Sequence, residues 1–245
     1  MKVAGARIAV VGGVRRLGRA LALDLAGHGA AVAVSSRART RAADEQVTAL
    51  LAAGAPAAHW VQGDAAGAAG AKGLVAGAAG VLGGLDALVY AASGPFVPRQ
   101  PEQIDEQMWD ASLDTIAKGF FFSACAARET LSPGGVIVAL TDYLGLQPWA
   151  TFAAHGAAKA AQIHLVKQLA RAWAPAGVRV CGVAPGPVDL EDDEHRAATL
   201  RAASRVASER LVAPGDIGAA VRFCLETDGV TGANVAVDNG SLVMS

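Results

Sequence analysis

Short apolar runs alternate with longer stretches of helical spacing from one end of the chain to the other. The runs at 7–11, 31–35, 59–62, 85–90, 136–141, 178–183 and 234–237 predict strands. Between them the apolar spacing predicts helices over 17–28, 40–53, 108–131, 152–174 and 214–226. The strand runs are continuously apolar, as expected of a parallel sheet covered on both faces. Such alternation implies βαβ units with right-handed crossovers. The expected fold is α/β: a doubly wound, seven-stranded, mostly parallel sheet flanked by helices on both faces.

Residues 65–80 interrupt this pattern with Gly67, Gly70, Gly73, Gly77 and Gly80, a poor composition for a helix. Their place between two predicted strands still requires a crossover, so a weak helix is expected there. No shift in composition divides the chain, and residues 1–245 are read as one domain.

Composition narrows the function classes. A formal net charge of −1 leaves no basic surplus for an electrostatic nucleic-acid binder. Cys125, Cys181 and Cys224 match neither a metal-ligand spacing nor a disulfide framework, which suits buried free thiols in a reducing compartment. His28, His59 and His164 have no ligand spacing around them, so no metal is expected. No apolar stretch approaches the about 20 residues that span a bilayer, and Arg7 follows Met1 too closely for a secretory leader. A cytoplasmic protein with a small-molecule substrate is expected, with neither membrane nor nucleic acid as a partner.

The chemistry gathers at strand ends. The first strand runs into Gly12-Gly13-Val14-Arg15-Arg16-Leu17-Gly18. Glycines at a strand-to-helix turn let backbone approach a pyrophosphate seated on the helix N-terminus. About 20 residues on, an NAD site presents an acid to the ribose 2′-hydroxyl. Here the second strand ends in Ser36 and Arg37, without a carboxylate. Together with Arg15 and Arg16 these residues suit a 2′-phosphate, whose oxygens match guanidinium forks. The alternative is two solvated arginine clusters. NADP(H) is the expected cofactor.

With Gly12, Arg16 and Gly18 in a Gly-x-x-x-Arg-x-Gly turn, the chain resembles the short-chain dehydrogenase/reductase family, and its pteridine reductase branch in particular. Further landmarks carry the resemblance along nearly the whole chain: Asp64, the Tyr90-Ala91-Ala92-Ser93-Gly94 stretch, Pro185-Gly186-Pro187-Val188, Thr231-Gly232 and Asp238-Asn239-Gly240. The resemblance implies a single Rossmann-type domain. It also implies cofactor contacts at Gly12, Arg15, Arg16, Leu17, Gly18, Ser36, Arg37, Asp64, Ala65, Ala91, Ala92, Ser93, Lys159, Pro185, Gly186 and Val188.

The family's catalytic register holds a serine, a tyrosine thirteen residues later, a lysine four beyond that, and an upstream asparagine. Here that register reads Asp142, His155 and Lys159, with Ile116 at the asparagine position. Residues 155 and 159 share a helix face. The resemblance implies that Lys159 binds the ribose, while Asp142 matches the acid of pteridine reductases. An imidazole at 155 can supply a proton near neutrality, or it can be the relic of a decayed site. The Leu140–Gly145 stretch is also similar to that of enoyl-acyl-carrier reductases, which makes Tyr143 a second candidate donor. Both tyrosines, Tyr90 and Tyr143, are expected at strand ends facing the cleft.

Pro95, Phe96, Gln147, Pro148, Trp149 and Phe152 are expected near the site, as an apolar sandwich for a flat ring or as packing. Residues 189–208 occupy the substrate-loop position, expected to be a polar lid helix or a solvated charged face. The helices at 108–131 and 152–174 are apolar around much of their circumference, which calls for a partner surface, and the resemblance implies that they pair into a homotetramer. Three functions follow: an NADPH-dependent reductase of a C=O or C=N bond in a small, ring-containing or pterin-like substrate; an enoyl-thioester reductase; or a catalytically impaired NADP(H)-binding protein.

Overall fold

A computed structural model describes residues 1–190 and 206–244. Its seven strands are all parallel, in the order β3-β2-β1-β4-β5-β6-β7. They are β1 Arg7–Val11, β2 Ala31–Ser36, β3 Ala58–Gln62, β4 Leu85–Tyr90, β5 Leu131–Leu140, β6 Arg179–Pro185 and β7 Asn234–Val237. The helices are α1 Arg16–Gly27, α2 Arg41–Ala53, α3 Ala68–Leu82, α4 Glu106–Leu113, α5 Gly119–Thr130, α6 Ala153–Trp173 and α7 Pro214–Glu226. None of the described helices is long and apolar enough to cross a membrane.

Successive side chains of a strand point to opposite faces, and each face here builds its own core. Ile8, Val10, Val32, Val34, Val136 and Val138 pack with Leu21 and Leu25 of α1 and with Ile217 and Val221 of α7. Ala9, Val11, Leu88, Ile137 and Ala139 pack with Leu74 of α3, Phe120 of α5 and Val166 of α6. The order reverses between β1 and β4, and a doubly wound sheet opens its ligand crevice at the carboxyl ends of strands at such a point.

The glycine-rich 65–80 stretch contributes to α3. Ala71, Leu74, Val75 and Ala78 give that helix a buried stripe, and packing outweighs the cost of its glycines. Gly77 has a direct use: a Cβ there would lie 2.8 Å from Val61 of β3.

The helix expected over 108–131 is two α-helices joined by a π-turn at Asp114–Lys118. The cause lies beneath it. The Tyr90 hydroxyl donates a 2.5 Å hydrogen bond to the Thr115 carbonyl, and a Cβ at Gly119 would collide with that hydroxyl and with the Ala65 carbonyl. Tyr90 is fully buried and does not face the cleft, contrary to the expectation from sequence. Burial raises its pKa far above the usual tyrosine value. Cys181 and Cys224 are buried free thiols as expected, whereas Cys125 is partly exposed. Of the expected 189–208 lid, residues 191–205 lie outside the described residues.

Candidate active site

The crevice is built first from glycines. Gly12 has φ +83°, a conformation in which L side chains are strained, and a Cβ there would lie 2.8 Å from the Ala92 backbone. The turn after β1 is thereby pressed against the end of β4, which brings Ala91 and Ala92 beside it. The Gly12 N–H donates to Ser35 Oγ at 3.2 Å, tying the turn to the end of β2. Gly18 lets α1 pack directly on the Gly12 carbonyl. Across the crevice, a Cβ on Gly186 would lie 2.7 Å from Asp238.

Helix α1 starts without a side-chain cap and without an acidic residue in its first turn. Orphan N–H groups at such an end suit an anion. Arg15 is the extended N-cap residue, and Arg16 follows it at φ +51° in the left-handed region. Arg15, Arg16 and Arg37 are all exposed around this turn. Ser36 sits below them, accepting from Trp60 Nε1 at 2.9 Å and donating to the Ala38 carbonyl at 3.0 Å. Arg39 lies over the Trp60 ring at 5.6 Å. Asp64, past the end of β3, is exposed and accepts from the Ala66 N–H. Uncapped N-terminus, glycine turn and exposed guanidinium groups fit a phosphorylated dinucleotide. Ser35 and Trp60 had not been expected here; the parallel pairing of β2 with β1 and β3 brings them in.

Asp142 lies two residues past the end of β5, and His155 and Lys159 lie in the first two turns of α6. Gly145 and Gly156 allow the loop between them to pack tightly, since a Cβ at either would press on backbone of the other segment. As a result the His155 Nε2 lies 3.1 Å from Asp142 Oδ2. Asp142 Oδ1 accepts the Leu144 N–H at 2.9 Å. The His155 ring is 5% exposed and the Asp142 side chain 20%. The His155 Nδ1 is buried with no hydrogen-bond partner.

Lys159 is buried and donates to the Leu140 carbonyl at 2.6 Å and to Gln162 Oε1 at 3.2 Å. Burial lowers its pKa to about 8, against the opposing attraction of Asp142. Gln162 was not anticipated as a partner; its position three residues after Lys159, on the same helix face, is the signal. Ile116 is fully buried in the π-turn and offers no polar side-chain group.

Aromatic rings connect this pair to a cleft. Phe96 stands edge-on to His155 at 4.9 Å and stacks on Phe152 at 4.5 Å. Phe152 meets Trp149 at 6.5 Å, and Trp149 meets Tyr143 at 6.1 Å. Phe96 and Phe152 thus stack on each other, which is the packing alternative and leaves no slot for a third ring between them. Space opens instead beside Tyr143 and Trp149, in a cleft of about 610 Å³ also lined by Gln147, Pro187, Val206 and Met244. Among the described residues no group of His, Cys, Asp and Glu could hold a metal ion.

Comparison with known proteins agrees with this picture. A family model described as enoyl-(acyl carrier protein) reductase matches residues 12–241. The cis-4-hydroxycyclohexanecarboxylate dehydrogenase of Sinomonas cyclohexanicum is 34% identical, over 96% of each chain. The 3beta-hydroxysteroid dehydrogenase 1 of Eggerthella lenta is 31% identical, over 96% of this chain and 93% of that one. The crystal structure of a short chain dehydrogenase from Burkholderia cenocepacia in complex with NADP superposes with a TM-score of 0.90 at 30% identity, covering 99% of this chain and 100% of that one.

Proposed function

This chain belongs to the short-chain dehydrogenase/reductase family of oxidoreductases, and from that membership we propose an NADP(H)-dependent enzyme that interconverts a carbonyl and an alcohol on a small ring-containing substrate. The observation that carries the proposal is the Asp142–His155 pair, 3.1 Å apart and one helical turn from a buried Lys159. The pair replaces the family's serine and tyrosine at the same spacing, and keeps a proton-exchanging group at the end of β5.

NADP(H), when bound, supplies or takes up the hydride. Gly12, Leu17, Gly18 and the start of α1 would hold its pyrophosphate, and Arg15, Arg16, Ser36 and Arg37 its 2′-phosphate. Asp64 and Ala65 would border the adenine. Ala91, Ala92, Ser93, Pro185, Gly186 and Val188 would border the nicotinamide half, with Lys159 on the ribose. The complex of the Burkholderia relative with NADP supports this choice of nucleotide, as does the lack of an acid after β2.

The substrate ring lies against Trp149 and Tyr143, with its polar group toward Asp142 and His155. Two similar dehydrogenases are named for hydroxylated rings, a steroid and a cyclohexane, which supports this class. A pterin falls within the same shape class, because a carboxyl at 142 can also protonate a ring nitrogen. The description of the matching family model, together with Tyr143 on the cleft wall, favours enoyl-thioester reduction as the second reading. The assembly is a homotetramer through the α4–α5 and α6 surfaces, where Trp109 is 44% exposed; a monomer in light scattering would refute it.

The test is NADPH against NADH binding by tryptophan quenching, followed by turnover assays with cyclic alcohols and ketones, pterins and enoyl thioesters. NADPH-selective binding with turnover of ring alcohols or ketones is the expected result. Turnover of enoyl thioesters alone selects the second reading, and tight binding without any turnover sinks both.

A further inference from the structure

The hydrogen bonds around His155 decide which member of the pair exchanges the proton. A neutral imidazole carries one ring hydrogen, on either nitrogen. The His155 Nε2 faces Asp142 Oδ2 at 3.1 Å, while its Nδ1 is buried without a partner. A hydrogen on Nδ1 would therefore be an orphaned buried donor, and Asp142 would face a bare lone pair. The hydrogen belongs on Nε2, donated to the carboxylate.

This tautomer cannot act as the proton donor. Giving up the Nε2 hydrogen would leave the ring anionic, or move its hydrogen to the orphaned nitrogen. Phe96 closes one side of the ring, edge-on at 4.9 Å, and 5% of the side chain is exposed. Asp142 has no such obstacle. Its oxygens receive the N–H groups of Leu144 and His155, and each retains a further acceptor position. Its side chain is 20% exposed, and the adjoining Tyr143 lines the cleft.

We infer that Asp142 exchanges the proton with the substrate, and that His155 is a positioning residue whose Nε2–H fixes the carboxylate. The assignment rests on the oxidoreductase reading and narrows it to one side chain. In the oxidative direction the alcohol O–H bond breaks and its proton forms an O–H bond on Asp142. The electron pair left on oxygen becomes the second bond of the carbonyl. Oxidised nicotinamide nucleotide, when bound, would be the two-electron acceptor, taking the carbinol C–H hydrogen with its bonding pair. Asp142 then releases its proton to water at its exposed edge, and reduction is the reverse.

Glutamine and asparagine separate the two roles. Glutamine places its amide nitrogen as many bonds from Cα as the imidazole Nε2, and asparagine as many as Nδ1. His155→Gln is expected to keep kcat within about five-fold of wild type, whereas His155→Asn and Asp142→Asn each lose about 100-fold or more, the scale of general acid–base catalysis. KM and NADPH affinity should stay within about two-fold in all three. A His155→Gln variant as inactive as His155→Asn overturns the assignment.

A second readout needs neither nucleotide nor turnover. Nitrogen-15 NMR of histidine-labelled protein at pH 7, with His155 assigned from His155→Gln, should show the Nε2–H tautomer with a bare Nδ1. A hydrogen on Nδ1, or on both nitrogens, overturns the assignment even where the variants agree with it. If the NMR result holds but wild type turns over nothing, it is the reaction reading that fails, and the proton role falls with it.

Discussion

Phe96 and Phe152 stack with their centroids 4.5 Å apart and their planes 17° apart, and the free edge of this stack is closed by His155. The relation joins the loop after β4 to the start of α6, two segments far apart in sequence. It sets how close a substrate can come to the Asp142–His155 pair from that side.

Removing half of the stack should therefore act on substrate more than on nucleotide. Phe96→Ala forfeits an aromatic pair, worth about 0.5–1.5 kcal/mol beyond its buried area, and frees the His155 ring to rotate. The expected outcome is a KM for ring alcohols raised about ten-fold, with NADPH affinity unchanged. Steady-state kinetics with a tryptophan-quenching titration measures both, and an unchanged KM would place the substrate elsewhere.

Most of the fold was legible in the sequence, because it rests on periodicity. Buried parallel strands read as apolar runs, and all seven were found, although β5 begins at Leu131, five residues before the apolar run that predicted it. The glycine-rich α3 was legible only through topology, since a crossover was needed where propensity opposed a helix. The spacing of Asp142, His155 and Lys159 anticipated their juxtaposition, because residues four apart on a helix share a face. What could not be read were features of packing. The π-turn follows from the Tyr90 hydroxyl pushing under Thr115, and the Phe96–Phe152 stack from two loops meeting in space. Neither contact has a local sequence signature.

Tyr90 offers a test of that structural role. Its hydroxyl is buried and bonded to the Thr115 carbonyl, so Tyr90→Phe removes a buried hydrogen bond. The expected cost is about 0.5–1.5 kcal/mol of stability, seen as a lower melting temperature. Turnover should persist, because the hydroxyl takes no part in proton exchange. Loss of activity with full stability would give the Tyr90 hydroxyl a part in the proton exchange.

Arg16 sits at φ +51°, where a residue other than glycine is uncommon and carries strain on the order of 1 kcal/mol or more. Strain held at the mouth of a phosphate crevice points to a use for the side chain. Arg16→Gly should raise thermal stability, because glycine adopts this conformation without a Cβ clash. The same change should weaken NADPH binding about ten-fold while leaving NADH nearly untouched, since the guanidinium serves the 2′-phosphate. Equal weakening of both nucleotides would mean that Arg16 serves the shared pyrophosphate instead.

Lys159 carries a pH signature that can be read without any ligand. Burial lowers its pKa to about 8 in the folded protein, whereas an unfolded lysine titrates near about 10.4. Between these values the unfolded chain holds a proton that the native state has released, so stability rises with pH across the window. Above about pH 10.4 both states are neutral at this site and its contribution is complete; it is lost as pH falls toward 8, where the native state must keep a buried ammonium. Lys159→Met removes the titration while every other ionisable group stays in place. The stability of wild type relative to Lys159→Met should therefore climb between pH 8 and 10.4, by about 3 kcal/mol at most. Urea unfolding of both proteins at a series of pH values measures that difference, in the absence of nucleotide. A flat difference would mean that the ammonium reaches water, and that Lys159 is free to leave the Leu140 carbonyl.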